Sequence, residues 1–189
     1  HKEYRRQRQM CIRDRVTGGE PLVRRGVLEL FADLGRMAGL NELTLTTNGS
    51  RLRPCAAALK AAGVRRVNVS LDSLNADKFR QMTRNGDLAT VLDGIEAALE
   101  AGFQRVKLNA VILKNRNHDE VVPLLDYAVA RGLDLSFIEE MPLGLVDGHD
   151  RALEYYSSDS IRDELARHYR LSPSLEAVSY THLRAHETR

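Results

Sequence analysis

Three short segments of this chain alternate polar and apolar residues, and this alternation limits the available folds more than any other feature. They span residues 43–46, 67–72 and 106–111. Successive side chains of a strand point to opposite faces, so each segment has one apolar face and one polar face. Parallel strands that are buried on both faces read instead as continuous apolar runs. These segments therefore need helices on one side and water or a ligand on the other, because buried polar groups without partners are costly.

Helical patterns separate these strands and predict a parallel sheet. A further strand is predicted over residues 135–139. Strand and helix alternate about every thirty residues, which is typical of right-handed βαβ units. The pattern favours an α/β fold, an open or partial (β/α) barrel with a polar interior, whose chemistry would lie at the C-terminal strand ends. Helices are predicted from apolar spacing and glycine stops over residues 26–37, 56–62, 76–82, 88–101, 119–131 and 160–168.

Composition excludes several classes of function. The 189 residues are 43% hydrophobic and 29% charged, with a net charge of +2, which suits one globular domain or part of a larger one. This charge does not indicate a nucleic-acid polymer as a partner. No apolar run approaches the roughly 20 residues of a membrane span, so no membrane partner is expected. The two cysteines, Cys11 and Cys55, form neither a disulfide framework nor a metal-ligand pattern. We expect a cytoplasmic protein.

Both ends of the chain differ from its middle. Residues 1–14 are basic and aperiodic and begin without methionine, and residues 178–189 have no core-facing pattern. Both resemble translated sequencing-adapter read-through. We therefore expect residues 1–14 and 178–189 to be non-native and residues 15–177 to form the folded core.

The glycine pair Gly18-Gly19, followed by Glu20, is the first candidate binding site. Without a Cβ, the glycine backbone can be approached closely by a ligand. Carbonyl oxygens and a carboxylate together suit a ligand that carries an ammonium group. A plain βα turn explains the same four residues, Gly18 to Pro21, so the motif alone leaves both interpretations open.

Polar residues near the strand ends are the other candidates. Ser70 lies on a polar strand face, which helix capping does not explain, whereas Ser73 is better interpreted as a capping residue. Lys107 lies within a strand and must face either solvent or an anion such as phosphate, because lysine is rarely buried unpaired. Glu139 and its neighbouring glutamate could do acid–base chemistry, although neighbours on a strand face opposite ways. Met141 is by default a packing residue.

Taken together, these motifs resemble the radical S-adenosylmethionine core of the molybdenum-cofactor GTP 3′,8-cyclase (MoaA) family over about residues 15–175. The Gly-Gly-Glu-Pro motif alone would indicate only the wider superfamily; the 68–74 motif followed by Lys107 makes the resemblance specific. The motifs are Thr-Gly-Gly-Glu-Pro (17–21), Thr-Thr-Asn-Gly (46–49), Asn-Val-Ser-Leu-Asp-Ser-Leu (68–74), Val-Lys-Leu-Asn (106–109) and Phe-Ile-Glu-Glu-Met-Pro (137–142).

The resemblance implies a partial (β/α)₆ barrel of the radical SAM type, here truncated at both ends. It further implies that a 4Fe–4S cluster cleaves S-adenosylmethionine and that the resulting radical takes hydrogen from the GTP ribose, giving 3′,8-cyclo-7,8-dihydro-GTP. The implied partners are GTP and an electron donor, in a monomer or a homodimer. The implied contacts are Gly18, Gly19, Glu20, Ser70 and Met141 for S-adenosylmethionine and Arg15, Thr46 and Lys107 for GTP.

The chain also departs from the family. The N-terminal Cys-x3-Cys-x2-Cys motif and the C-terminal three-cysteine region are absent, so no metal ligand and no catalytic side chain are predicted and the isolated chain is expected to be inactive. Ser136 stands where the family often has an arginine that contacts GTP. Two alternatives stay open: another radical S-adenosylmethionine enzyme, such as a peptide-modifying one, and a non-catalytic β/α module that binds a nucleotide.

Overall fold

A five-stranded parallel sheet forms the centre of the molecule in a computed structural model, which describes residues 12–140, 151–173 and 183–187. The strands are adjacent in chain order and all neighbours are parallel. A sequential parallel order is that of a β/α barrel, and here the sheet is open. This confirms the predicted partial barrel. The strands are β1 (Ile12–Val16), β2 (Leu40–Thr47), β3 (Val64–Ser70), β4 (Arg105–Val111) and β5 (Asp134–Ile138).

Helices connect consecutive strands, as predicted. Two single turns of 3-10 helix, Pro21–Val23 and His118–Glu120, were not predicted; the second precedes a helix expected to begin at Asp119. The β3 strand begins at Val64 rather than at the predicted Val67, and Asp72 lies beyond its end. The helices are α1 (Val27–Gly35), α2 (Leu52–Ala61), α3 (Ala76–Thr83), α4 (Leu88–Glu100), α5 (Val121–Ala130), α6 (Arg151–Glu154) and α7 (Ser158–Ala166).

The core lies between the apolar face of the sheet and the helices. Strand residues on this face are almost completely buried, and the helices contribute apolar side chains such as Phe31, Ile95 and Leu124. This confirms the face predicted to pack under the helices. The buried strand residues are Leu43, Leu45, Val67, Val69, Val106, Leu108 and Ala110.

Polar side chains begin several of the helices. The Asn75 side chain accepts hydrogen bonds from the amides of Asp77 and Lys78 and so caps α3. The interpretation of Ser73 as a capping residue is therefore wrong: its hydroxyl donates to a carboxylate of another loop. Asp87 caps α4 in the same way, by accepting from the amide of Thr90.

Two further elements lie beyond the five-stranded sheet. Tyr155, just after α6, forms an antiparallel bridge with Leu113, which attaches this segment to the loop after β4. A separate antiparallel pair joins β6 (Tyr169–Pro173) to β7 (Leu183–Glu187). In the part of the chain that the structure describes, no helix is long and apolar enough to cross a membrane.

Candidate functional site

The carboxyl ends of the strands bring most of the predicted ligand contacts to one edge of the sheet. Gly18, Gly19 and Glu20 follow β1, while Ser70 is the exposed last residue of β3. Because the strands are parallel and adjacent, these ends meet at the same edge. Met141 follows β5 along the chain and lies outside the described residues.

Gly19 has no structural reason to be glycine. Its φ lies outside the positive region, and a Cβ built on it would meet nothing within 4 Å. Gly18 differs, since its φ of 138° is strained for residues with a side chain, although the space beside it is also open. The fold therefore explains Gly18, whereas open space beside an exposed backbone is what close approach of a ligand to Gly19 would require.

Glu20 is bound by the neighbouring loop. One of its carboxylate oxygens, Oε1, accepts from the amide of Leu22 at 3.0 Å and from the hydroxyl of Thr47 at 2.7 Å. The other oxygen, Oε2, accepts from the amide of Asn48 at 2.6 Å. An ionised carboxylate offers about four acceptor positions. Glu20 thus ties the turn after β1 to the turn after β2 and keeps capacity at Oε2 for one more donor.

The polar face of the sheet is arranged in rows set by strand register. In one row Thr46 lies opposite Asn68, and Asn68 lies opposite Lys107. The next row towards the carboxyl edge pairs Ser70 with Asn109. Neighbouring strands are about 4.8 Å apart, so Thr46 and Lys107 are about 10 Å from each other, on either side of β3. The two predicted GTP contacts on β2 and β4 therefore lie one row below the predicted S-adenosylmethionine contact Ser70.

This polar face has buried polar atoms that the described part of the chain leaves without a hydrogen-bond partner. Thr44 is 5% exposed and Asn68 is 3% exposed. The amide nitrogen of Asn68 donates to the hydroxyl of Thr46 at 3.2 Å, but its Oδ1 and the Nε of Arg66 are buried without a hydrogen-bond partner among the described atoms. Buried polar atoms are normally satisfied, so the prediction that this face meets water or a ligand agrees with the geometry.

Arg15 is an exposed residue of β1 and lines a pocket in the row of Thr44, further from the carboxyl edge. Its register partner is Thr44, and the pocket, of about 320 Å³, is also lined by Asp14, Glu42 and Arg66. The guanidinium of Arg66 pairs with Glu42 at 3.4 Å. The two acidic and two basic side chains of this pocket give it no net charge. The open edge near Gly19 and Ser70 remains the better candidate site.

A buried polar group beside the edge was missed from the sequence. The carboxylate of Asp72 accepts from the amide of Val111 at 2.8 Å, and burial raises the pKa of this carboxyl. Ser73 and Asn117 are completely buried, and Glu120 is 6% exposed. These residues come from the loops after β3 and β4, and no short motif links them in the sequence.

The carboxylate of Glu139 is hydrogen-bonded to the N-terminus of α7. Its carboxylate accepts from the amide of Ser158, at the start of α7, and from the hydroxyl of Tyr155 at 3.1 Å. The hydrogen bonds from Ser158 hold the pKa of the Glu139 carboxyl below its usual range. A carboxylate held ionised at a helix N-terminus is a capping group, so the geometry gives it no acid–base role.

The described residues offer no site for an iron–sulfur cluster. Within residues 12–140 and the later described segments, no group of three or more histidine, cysteine or acidic side chains could hold a metal ion. Cys55 is a free thiol on α2, and burial raises its pKa. Cys11 lies outside the described residues. The residues that the structure describes therefore do not fit a cluster.

Comparison with known proteins agrees with the predicted resemblance. The chain is 57% identical over 163 residues to GTP 3′,8-cyclase 2 of Pseudomonas aeruginosa, an alignment that covers 86% of this chain and 49% of that protein. It is 53% identical over 164 residues to GTP 3′,8-cyclase of Pseudomonas fluorescens, covering 87% of this chain and 49% of the relative. The chain thus spans about half the length of the curated relatives it matches.

Solved structures support the fold. A domain of pyruvate-formate lyase-activating enzyme from Bacteroides vulgatus superposes with a TM-score of 0.60 at 15% identity, covering 80% of this chain and 88% of that one. Coproporphyrinogen III oxidase from Escherichia coli, a radical SAM enzyme, gives a TM-score of 0.61 at 16% identity, covering 82% of this chain and 40% of the other. The sequence profile of the Radical SAM superfamily matches residues 2–128, which is more than half of the chain. With an open parallel β/α sheet, a glycine pair at its carboxyl edge and this match, the chain belongs to the radical SAM superfamily.

Proposed function

We propose that this chain is the S-adenosylmethionine- and GTP-binding part of a GTP 3′,8-cyclase, which converts GTP to 3′,8-cyclo-7,8-dihydro-GTP in molybdenum cofactor biosynthesis. The proposal draws on relatives of that name at 53–57% identity. The curated relatives at this identity are GTP 3′,8-cyclases, which weighs against the peptide-modifying alternative. Because the chain covers 49% of each relative, the activity belongs to the longer protein.

The single observation that carries the proposal is the open backbone at Gly19. The superfamily uses S-adenosylmethionine and a 4Fe–4S cluster, and the former supplies radical chemistry when it is bound. Its methionine ammonium needs acceptors, and the carbonyl groups of Gly18 and Gly19 and the remaining capacity of Glu20 Oε2 are acceptors in consecutive residues beside open space. The hydroxyl of Ser70 is exposed at the same edge. These residues bind and orient; they transfer no proton.

The substrate side of the proposal rests on the row below. Lys107 is partly buried on the polar face, and its ammonium carries the charge that a triphosphate contact requires. Thr46 offers a hydroxyl two strands away, and Arg15 offers a second cation on β1. Ser136 pairs in register with Asn109 and so lies on this face without a charge. An electron donor, a monomer or homodimer, and a cytoplasmic location stay predictions.

Ligand titration of the intact chain tests the proposal. S-adenosylmethionine and GTP are added separately while backbone amide resonances are followed by NMR. We expect Gly19→Ala to weaken S-adenosylmethionine binding about tenfold or more, because the added methyl occupies the approach to the backbone, a loss of about 1.4 kcal/mol. We expect Lys107→Met to weaken GTP binding by a similar factor and to leave S-adenosylmethionine binding within twofold, and the loss should shrink in high salt.

Lys60→Met is the matched control, because Lys60 lies on α2 and its ammonium donates to the carbonyl of Gly102, away from the edge. It should change neither affinity. Equal binding of GTP and ATP by the unaltered chain, or a Gly19→Ala chain that binds S-adenosylmethionine normally, would contradict the proposal.

A further inference from the structure

Two loops at the carboxyl edge are joined by a group of buried polar contacts, which we call the edge clamp: Asp72, Ser73, Asn117 and Glu120. The first two residues follow β3, which ends at Ser70, and the other two follow β4. Nothing in the proposed binding of S-adenosylmethionine or GTP uses them. They nevertheless occupy the junction between the strand that carries Ser70 and the strand that carries Lys107.

Glu120 forms one half of the edge clamp. Its carboxylate oxygen Oε1 accepts from the Ser73 hydroxyl at 2.7 Å, and Oε2 accepts from the amide of Leu74 at 2.6 Å. The ammonium of Lys78 lies 3.5 Å from Oε1 and supplies a counter-charge. Hydrogen bonds to a charged acceptor are about twice as strong as neutral ones. A buried carboxylate with this geometry fixes the backbone of the turn after β3 to the turn after β4.

Asn117 forms the other half. Its side-chain nitrogen donates to the carbonyl of Asp72 at 2.6 Å and to the carbonyl of Val111 at 2.9 Å. Its side-chain oxygen accepts from the amide of Leu113 at 2.8 Å. One completely buried amide therefore binds both strand ends at once. A further hydrogen bond runs the other way, from the backbone amide of Val111 on β4 to the carboxylate of Asp72.

The contacts continue the β3–β4 ladder beyond its last regular pair. Ser70 pairs with Asn109, and the amide of Leu71 donates to the carbonyl of Asn109 at 2.9 Å. The regular pairing of β3 ends at Ser70. Beyond it, side-chain hydrogen bonds of the edge clamp connect the loop after β3 to the loop after β4. An exposed strand end held only by its last backbone bonds would fray, since terminal hydrogen bonds open most easily. The edge clamp removes that freedom next to the exposed Ser70 hydroxyl.

We propose that Glu120 and Asn117 are positioning residues, which hold the Ser70 end of β3 in place on β4 and thereby set S-adenosylmethionine relative to GTP. The ligand part of this inference rests on the proposed function, whereas the mechanical part rests on the hydrogen bonds alone. Neither residue needs to touch a ligand. Their effect reaches the site through the backbone of residues 70–74.

The experiment combines amide hydrogen exchange with ligand titration on the full chain. Glu120→Gln keeps the shape of the side chain but loses the charge and one acceptor, and Ser73→Ala removes the partner from the other side. We expect protection of the Leu71 and Leu74 amides to fall about tenfold or more in both variants, since a buried group loses its partner. Protection of Val67, in the middle of β3, should stay within threefold of the unaltered chain.

The ligand arm separates positioning from general stability. We expect the affinity for S-adenosylmethionine to fall about threefold to thirtyfold in both variants, with that for GTP within twofold. Ile95→Val, a completely buried position on α4, serves as a control that loses stability elsewhere and should alter neither affinity. Unchanged exchange at Leu71 and Leu74, or affinities that fall equally in the Ile95→Val chain, would overturn the inference. If the unaltered chain binds neither ligand, the proposed function fails, and hydrogen exchange alone decides whether the edge clamp holds β3.

Discussion

Replacing Gly94 by alanine should destabilise the protein, although the same change in an ordinary helix stabilises it. Gly94 is buried in α4, where a Cβ would lie 2.6 Å from the carbonyl oxygen of Gly49 and 3.1 Å from the Cβ of Leu52. Ordinary carbon–oxygen contacts are about 3.3 Å or longer, so the overlap is about 0.7 Å. The carbonyl cannot easily retreat, because it accepts from the amide of Leu52 at 3.1 Å.

The magnitude follows from two opposing terms. Alanine gains about 1 kcal/mol over glycine in a helix interior, while overpacking costs about 1–3 kcal/mol. Given a backbone clash of this depth, we expect the free energy of unfolding to fall by about 1–2 kcal/mol, or the midpoint of thermal unfolding by about 2–8 °C. Urea denaturation and a thermal scan measure both. Because the displaced carbonyl belongs to the loop that binds Glu20, the amide resonance of Asn48 should also shift.

An alanine-to-glycine change at an exposed helix position measures the contribution of helix propensity alone. Ala58→Gly, on the outer face of α2, should cost about 1 kcal/mol from propensity alone. If Gly94→Ala instead raised the midpoint by a similar amount, the packing of α4 against the loop after β2 would be looser than the distances indicate. Such a rise would contradict the predicted clash between Gly94→Ala and the carbonyl of Gly49.

Three further predictions follow from single contacts. Asp72→Asn should leave stability unchanged below the ordinary carboxyl pKa of about 4 and raise it progressively at higher pH. Burial raises the pKa of the Asp72 carboxyl in the folded chain, so its contribution to stability is full in acid and is lost as pH rises through the raised value. If urea denaturation gave the same pH dependence of the free energy of unfolding for both chains, this prediction would be wrong. Glu139→Gln should lower the free energy of unfolding at neutral pH, and this difference should vanish in acid. The amide of Ser158 lowers the pKa of the Glu139 carboxyl, so the stabilisation is lost as pH falls through the lowered value. A difference that grows in acid, measured in the same denaturation series, would exclude the capping role. Gly35→Ala places a Cβ 1.9 Å from the carbonyl oxygen of Ala62, and thermal unfolding should show a larger loss than for Gly94→Ala unless the end of α1 moves.

The architecture could be predicted because strand periodicity is a local property. The alternation of Leu43 and Leu45 with Thr44 and Thr46 assigns each side chain to a face, whatever the partner strand is. The same holds on β4, where Val106 is buried and Lys107 faces the polar side. Helix stops at glycine are equally local. Element boundaries were less certain, since backbone pairing extends β3 to Val64, where the sequence does not alternate.

The edge clamp could not be predicted, because its residues meet only when two loops fold together. Asn117 and Glu120 occur in a polar stretch, Asn-Arg-Asn-His-Asp-Glu, which contains the predicted start of a helix at Asp119 and gives no sign of burial. Ser73 was misassigned for the same reason: serine before a helix is a good cap, and the true cap is Asn75. Which polar residue is buried depends on the approach of β4 to β3. A single sequence holds no local signal for that.

Glu20 illustrates how a residue can be placed correctly while part of its role is missed. Its position at the carboxyl edge was predicted from the glycine pair, and its carboxylate was assigned to a ligand ammonium. In the folded chain three donors already hold it: the hydroxyl of Thr47 at the end of β2, the amide of Asn48 just after β2, and the amide of Leu22 in its own turn. A carboxylate bound in this way is pre-oriented, so an arriving cation meets an acceptor that has already lost its rotational freedom. The contacts within the protein and the proposed ligand contact are therefore compatible, since the contacts within the protein lower the entropy cost of binding the ligand.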